Sequence, residues 1–304
     1  MMRLRIPGIS LAQIRGNRSG SASRLVKVCS KGTIISRRVI PWLISANETM
    51  LLHRSTGTVR HTKVNGLPYL RSAVIGLAGY EWAKLGNVSR WRSIGWATFC
   101  GALCFVFSQI PESPAWICGA AAVFWIVLAP YWLARGFRPA PKGAGPYVCL
   151  LVLVPAGLAT IDLPNLQLLM ILGLTWVADT GAYLAGRTFG RHKLAPAISP
   201  GKTWEGVAGG AICCIFYAII WALFDPDLRL RVQGPLWVVF LAGTMLLFAL
   251  SVVGDLFESA LKRGAGAKDS GRLLPGHGGV LDRIDSATAT LPVAVLLLQL
   301  LKTS

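Results

Sequence analysis

Carboxylates and cations crowd one short stretch of an otherwise apolar chain. Between Gly254 and Ser286, "GDLFESALKRGAGAKDSGRLLPGHGGVLDRIDS", Asp255, Asp282 and Asp285 stand among Lys262, Arg263, Lys268, Arg272, His277 and Arg283. On a helix, Asp255, Ser259 and Lys262 or Arg263 fall at i, i+4 and i+7 or i+8, so one stripe presents a carboxylate, a hydroxyl and a cation. Asp282 and Asp285 lie one turn apart where the last apolar run begins. Acids at a helix start gain about 0.3–1 kcal/mol each from the helix dipole, which accounts for one of them as a cap. Two such acids together with Asp255 match another need. Magnesium takes a few carboxylate oxygens and leaves positions for water and phosphate, while Lys and Arg neutralise the remaining charge of a polyphosphate. The glycines of "GAGA" and "PGHGG", Gly278 and Gly279 among them, let a backbone bend sharply and meet phosphates through its amides. His277, with glycine on both sides, belongs with this set rather than with ordinary loop histidines.

Two further clusters lie upstream. "VADTGAY" puts Asp179 inside an apolar helix, where a carboxylate costs roughly 2.5–3.5 kcal/mol and needs a partner or a wet cavity. Asp179, Tyr183 and Arg187 share one helical face, which is expected to point inward. "GRTFGRHKLAPAISPGKTWEG" (186–206) contains a GKT triplet, but a phosphate-binding P-loop needs glycine five residues before Gly201, and Pro196 stands there. The P-loop is excluded. Lys202 and Glu205 remain as charges beside a span, among Arg191, His192 and Lys193.

These residues must be positioned by a membrane protein. The 304 residues are 53% hydrophobic with mean hydropathy +0.54, too apolar for a soluble two-domain chain. Apolar runs at 93–110, 115–134, 146–161, 166–186, 206–224, 236–261 and 284–301 are each long enough to cross a ~30 Å hydrocarbon core at about 1.5 Å per residue. The expected fold is an all-α polytopic membrane helical bundle with seven spans, plus a short span or interfacial helix at 69–86. Connections around Lys84–Arg92, Arg135–Lys142, Arg187–Lys202 and Lys262–Arg283 are basic, and those at 111–114, 162–165 and 225–235 are acidic or mixed. The positive-inside rule places the basic set in the cytoplasm. Residues 1–66, with twelve Lys and Arg against the single acid Glu48, read as a basic disordered segment without a signal-peptide core. Residues 67–304 read as one membrane-embedded catalytic domain. Six of the seven cysteines sit inside apolar runs without CxxC spacing, so they read as packing residues.

The run Ser259, Leu261, Lys262, Arg263, Lys268, Asp269, Gly271, Leu274, Pro275, His277, Gly278, Gly279, Val280, Asp282, Arg283, Ile284 and Asp285 resembles the full signature of the phosphatidate cytidylyltransferase (CDP-diacylglycerol synthase) family. The segment "ADTGAYLAGRTFGRHKLAPAISPGKTWEG" is similar to that family's preceding cytoplasmic stretch, and "YEWAKL" to its early Glu-Trp segment; the likeness covers roughly residues 69–301. It implies a reaction of CTP with phosphatidate to CDP-diacylglycerol and pyrophosphate, with Mg²⁺, in an all-helical fold of a bacterial-type inner membrane with the site at its cytoplasmic face. Asp255 and Asp282 correspond to the metal-binding pair. Lys262, Arg263 and Asp285 join them in catalysis, and Ser259, Lys268, Asp269, His277, Gly278, Gly279, Arg283, Lys202 and Asp179 are the substrate-binding candidates. The implied partners are CTP and phosphatidate, with a homodimer allowed and no nucleic acid. The chain departs from the family at its start, where basic polar sequence stands in place of further hydrophobic helix.

Three rival readings share some of these features. A secondary transporter also buries carboxylates in helices, but no inverted repeat or paired broken helices are visible. A CTP-dependent lipid kinase shares the membrane and the nucleotide and differs in its products. A non-catalytic scaffold tolerates loss of the carboxylates. Under the transferase reading, Asp282→Asn removes turnover and spares folding, because an amide is less costly than a carboxylate beside lipid.

Overall fold

The computed structural model describes residues 29–30, 33–34, 66–110, 113–136, 145–271, 273, 276 and 278–303. Met1–His61 and Thr62–Ser304 form separate units. In the first, Cys29–Ser30 (β1) pairs antiparallel with Thr33–Ile34 (β2). The rest of the 1–65 stretch, for which disorder is expected, lies outside the described residues, as do Arg272, Leu274, Pro275 and His277.

The second unit is helical. Its elements are α1 (Leu67–Leu85), α2 (Arg90–Ser108), α3 (Ser113–Val123), a π turn (Phe124–Leu128) running into α4 (Ala129–Ala134), α5 (Gly145–Asp162), α6 (Asn165–Phe189), α7 (Trp204–Phe224), α8 (Pro226–Arg231), α9 (Leu236–Gly264) and α10 (Leu281–Thr303). A short hairpin, Lys193–Ala195 (β3) with Ser199–Thr203 (β4), joins α6 to α7. Five helices are long and apolar enough to cross a membrane: Ala115–Ala134, Gly145–Asp162, Asn165–Phe189, Trp204–Phe224 and Leu236–Gly264. The runs at 93–110 and 284–301 form α2 and α10, which stand outside that set of five. Stretch 69–86 becomes α1, a 19-residue helix packed against α2 and α5 rather than lying apart from the bundle.

Local chemistry sets several boundaries. The Thr203 hydroxyl accepts from Gly206 N at 3.1 Å and caps α7. Asp225, in the acidic connection, caps α8 by accepting from Asp227 N and Leu228 N at 3.0 and 3.1 Å. Between α6 and α7 the backbones meet along small residues; a Cβ at Gly210 would stand 2.9 Å from the Ala178 carbonyl oxygen and from the Phe248 ring. Close approach of this kind replaces the hydrophobic drive that lipid does not provide.

An aromatic group fixes the rotation of α9. Phe257 packs with Trp125, Phe124 and Trp132 at centroid distances of 5.3, 5.6 and 5.9 Å, and with Trp82 at 6.5 Å. With Phe257 held there, Asp255 and Ser259 are presented to a different side of the helix, two residues away in each direction. The buried face of α6 is Ile171, Leu174, Ala178 and Gly181. Tyr183 and Arg187 are exposed rather than turned to the packed interior as expected, with Arg187 Nη1 donating to Tyr183 Oη at 2.9 Å, whereas Asp179, although solvent-accessible, lies on the side of α6 that faces Asp255 and Lys202.

Candidate active site

The hairpin delivers Lys202. Antiparallel pairing sets Lys193 opposite Thr203 and Ala195 opposite Ser199. Glu205, one residue into α7, closes its base, with His192 Nδ1 at 2.6 Å from Glu205 Oε1 and His192 N donating to the carboxylate at 3.2 Å. So braced, Lys202 Nζ meets Asp255 Oδ2 at 2.6 Å, and the other oxygen of Asp255 accepts from Ser259 Oγ at 3.2 Å. Asp179 from α6 and Asp285 from α10 interact electrostatically with Asp255 and with Lys202. The approach of α10 depends on Gly254, where a Cβ would lie 2.7 Å from the Asp285 carbonyl oxygen. Four elements thus bring three carboxylates and one ammonium together.

A second ionic group lies further along α9. Lys262 Nζ stands 2.5 Å from Glu258 Oε2 and 2.8 Å from Asp282 Oδ1, and all three side chains are largely buried. Asp282 also accepts from Gly279 N at 2.8 Å and Ser270 N at 3.1 Å, which folds the loop between α9 and α10 over the start of α10. Gly278 adopts φ +80°, a left-handed conformation that glycine takes without strain. Arg263, Lys268, Asp269 and Arg283 are exposed around this loop, with Arg263 Nη1 donating to the Ala267 carbonyl at 3.4 Å.

The sequence clusters at 186–206 and 255–285 therefore meet through one ion pair, Lys202 to Asp255. Residues 65–301 match the Cytidylyltransferase family. The chain belongs to the cytidylyltransferase family. It is 38% identical over 242 residues to the phosphatidate cytidylyltransferase of Pseudomonas aeruginosa, covering 74% of this chain and 85% of that one. Similar proteins of the same name from Haemophilus influenzae and Staphylococcus haemolyticus are 50% and 49% identical over 125 residues, which is 41% of this chain and 43% and 46% of theirs.

In this cytidylyltransferase the expected metal pair is divided between two ion pairs: Asp255 holds Lys202, and Asp282 holds Lys262. Among the described residues no three His, Cys, Asp or Glu side chains form a ready ligand cage. The donor chemistry nevertheless fits a hard cation. Asp179, Asp255 and Asp285 offer only oxygen, and when ionised they exceed the charge of Lys202, an imbalance that a divalent ion offsets.

Two acids of this site went unassigned in the sequence. Glu258 follows Asp255 by three residues and precedes Lys262 by four, a spacing that was available as an ion-pair signal. Glu81 is 1% exposed, and its Oε2 accepts from Leu281 N and Ser270 Oγ. Nothing in "YEWAKL" alone points to a loop about 190 residues later.

Proposed function

We propose that this chain is a phosphatidate cytidylyltransferase working at the cytoplasmic face of a seven-span membrane bundle, with Mg²⁺ held by Asp255 and Asp282 and with Asp285 and Asp179 alongside. A phosphate oxygen of phosphatidate attacks the α-phosphorus of CTP, the bond to the β-phosphate oxygen breaks, and pyrophosphate leaves with the electron pair; the lipid product is CDP-diacylglycerol. The attacking phosphate is already ionised, so no strong general base is required. Both reactants are anions, and the main tasks are neutralisation and alignment. Lys202 and Lys262 supply two ammonium groups at the edge of the bundle, and Arg263, Lys268 and Arg283 supply exposed cations around the loop. Magnesium, when bound, adds charge neutralisation at the phosphates and a common template for both reactants. Lys202 and Lys262, held beside Asp255 and Asp282, would supply ammonium groups to phosphate oxygens next to such an ion.

The observation that carries this reading is the Lys202–Asp255 ion pair, which joins the two basic segments inside the family-matched region. The positive-inside rule assigns both segments to the cytoplasm. Radiolabelled CTP and phosphatidate, incubated with the detergent-purified protein, should give a CMP-containing lipid and pyrophosphate, and EDTA should abolish transfer. Release of CDP with a phosphorylated lipid instead would make it a lipid kinase, and wild-type rates in EDTA would remove the metal.

A further inference from the structure

Glu81 is a deeply buried carboxylate that the transfer reaction does not use. It comes from α1, the first helix of the bundle, yet both of its hydrogen-bond partners lie at the other end of the chain: Leu281 N at 2.8 Å and Ser270 Oγ at 3.2 Å. Asp282 holds the same loop from its other side, accepting from Ser270 N and Gly279 N while paired with Lys262. Two points on the connection between α9 and α10, Ser270 and Gly279–Leu281, are thereby fastened by two carboxylates.

The backbone is also shaped around this side chain. A Cβ at Gly271 or at Gly279 would overlap the Glu81 carboxylate, and one at Gly279 would overlap the Ser270 hydroxyl as well. Only glycine leaves that space. The neighbour of Glu81, Trp82, packs against Phe257, the residue that sets the rotation of α9. α1 thus touches α9, which carries Asp255, and the loop that leads into α10, which carries Asp282.

We propose that Glu81 is a positioning residue for cytidylyl transfer, the acceptor that fixes Ser270 and Leu281 so that Asp282 and Lys262 keep their places, without itself touching either reactant. Both bonds fall on one oxygen, Oε2, and Oε1 is buried with no partner among the described residues. The amide oxygen of Gln, placed where Oε2 lies, accepts the same two bonds. Charge is therefore dispensable at this position and the acceptor is not, the reverse of what a metal ligand or a general base requires. The activity readout rests on the transferase reading, whereas amide exchange at Leu281 tests the clamp independently of any reaction.

The experiment uses the full chain in detergent as wild type, Glu81→Gln, Glu81→Ala and Gly279→Ala. Initial rates are measured against CTP and phosphatidate, and hydrogen exchange is followed over residues 270–283. Glu81→Gln should keep most of kcat/KM and the protection of the Leu281 amide. Glu81→Ala and Gly279→Ala should lose that protection and about 100-fold in kcat/KM, the scale of loss for a group displaced by about 1 Å. Should Glu81→Ala fail to accumulate, Ser270→Ala removes one of the two bonds and should show a smaller loss of both protection and rate. Glu81→Gln as inactive as Glu81→Ala with a protected amide would assign the charge to the chemistry and overturn the proposal. Wild-type rate and exchange in Glu81→Ala, Gly279→Ala or Ser270→Ala would overturn it too.

Discussion

Replacing Asp282 by Asn removes the charge from a carboxylate that receives three donors, Lys262 Nζ at 2.8 Å, Gly279 N at 2.8 Å and Ser270 N at 3.1 Å. Asn has one acceptor oxygen. If that oxygen keeps the two backbone amides, the side-chain NH₂ faces the Lys262 ammonium, donor against donor. A charge-assisted hydrogen bond of this kind contributes about 1.5–3 kcal/mol, and breaking a buried ion pair from one side costs roughly 3–5 kcal/mol. Lys262 retains Glu258 at 2.5 Å, so the lower end of these figures applies, about 2–3 kcal/mol. At roughly 2–4 °C per kcal/mol the melting temperature should fall by about 4–12 °C. If the same energy is withheld from the transition state, turnover should drop by about 30- to 150-fold before any loss of metal is added.

Asp255→Asn provides the contrast: its ion pair with Lys202 is about a quarter exposed on each side, 28% and 25%, so solvent screens it and it contributes ~0–1 kcal/mol. That variant should keep its melting temperature and lose transfer activity. The loss of activity with folding spared, expected of Asp282→Asn from sequence, is on this geometry expected of Asp255→Asn instead, because of the two only Asp282 also fastens a loop. Thermal unfolding in detergent and cytidylyl transfer would be measured for both variants, and for Lys262→Met alone and combined with Asp282→Asn. The double variant should lose at least about 1 kcal/mol less than the sum of its singles. Wild-type melting in Asp282→Asn, or strict additivity with Lys262→Met, would refute the reasoning.

Three other outcomes are expected. Gly210→Val should destabilise the α6–α7 contact by about 1–3 kcal/mol, seen as a lower melting temperature, because its side chain must displace the Ala178 backbone or the Phe248 ring. In a Cys-free variant, a cysteine at exposed Leu273 should react with an impermeant thiol reagent only from the cytoplasm and one at exposed Leu230 only from the opposite side; the reverse pattern would invert the topology. Deleting residues 1–60, which precede the family-matched region, should leave cytidylyl transfer intact, and a correctly inserted yet inactive deletion would place function in that segment.

Much of this protein is readable along the chain. Long apolar runs must become helices in lipid, since a helix alone satisfies its own backbone polar groups there, and the runs at 115–134, 146–161, 166–186, 206–224 and 236–261 do so. The stripe of Asp255, Ser259 and Lys262 also follows from helical period, and their family likeness is carried by fixed spacing within one segment. Pairing was decided only in three dimensions. Lys202 reaches Asp255 because the β3–β4 hairpin and a glycine seam turn α7 back along α6, and no local pattern encodes the partner of a lysine 53 residues away. The packed face of α6 went to its small and aliphatic residues, which left Tyr183 and Arg187 exposed and Asp179 open toward Asp255 and Lys202. Asp255 and Asp282 share a signature yet hold different lysines, because Asp255 and Lys262 lie seven residues, about two turns, apart on α9: the β3–β4 hairpin brings Lys202 to the first, and the start of α10 brings Asp282 to the second. Glu81 marks the limit most plainly: a single acid in an apolar helix has no local meaning, and its role as an acceptor arises only when Ser270, Gly271, Gly279 and Leu281 come to surround it.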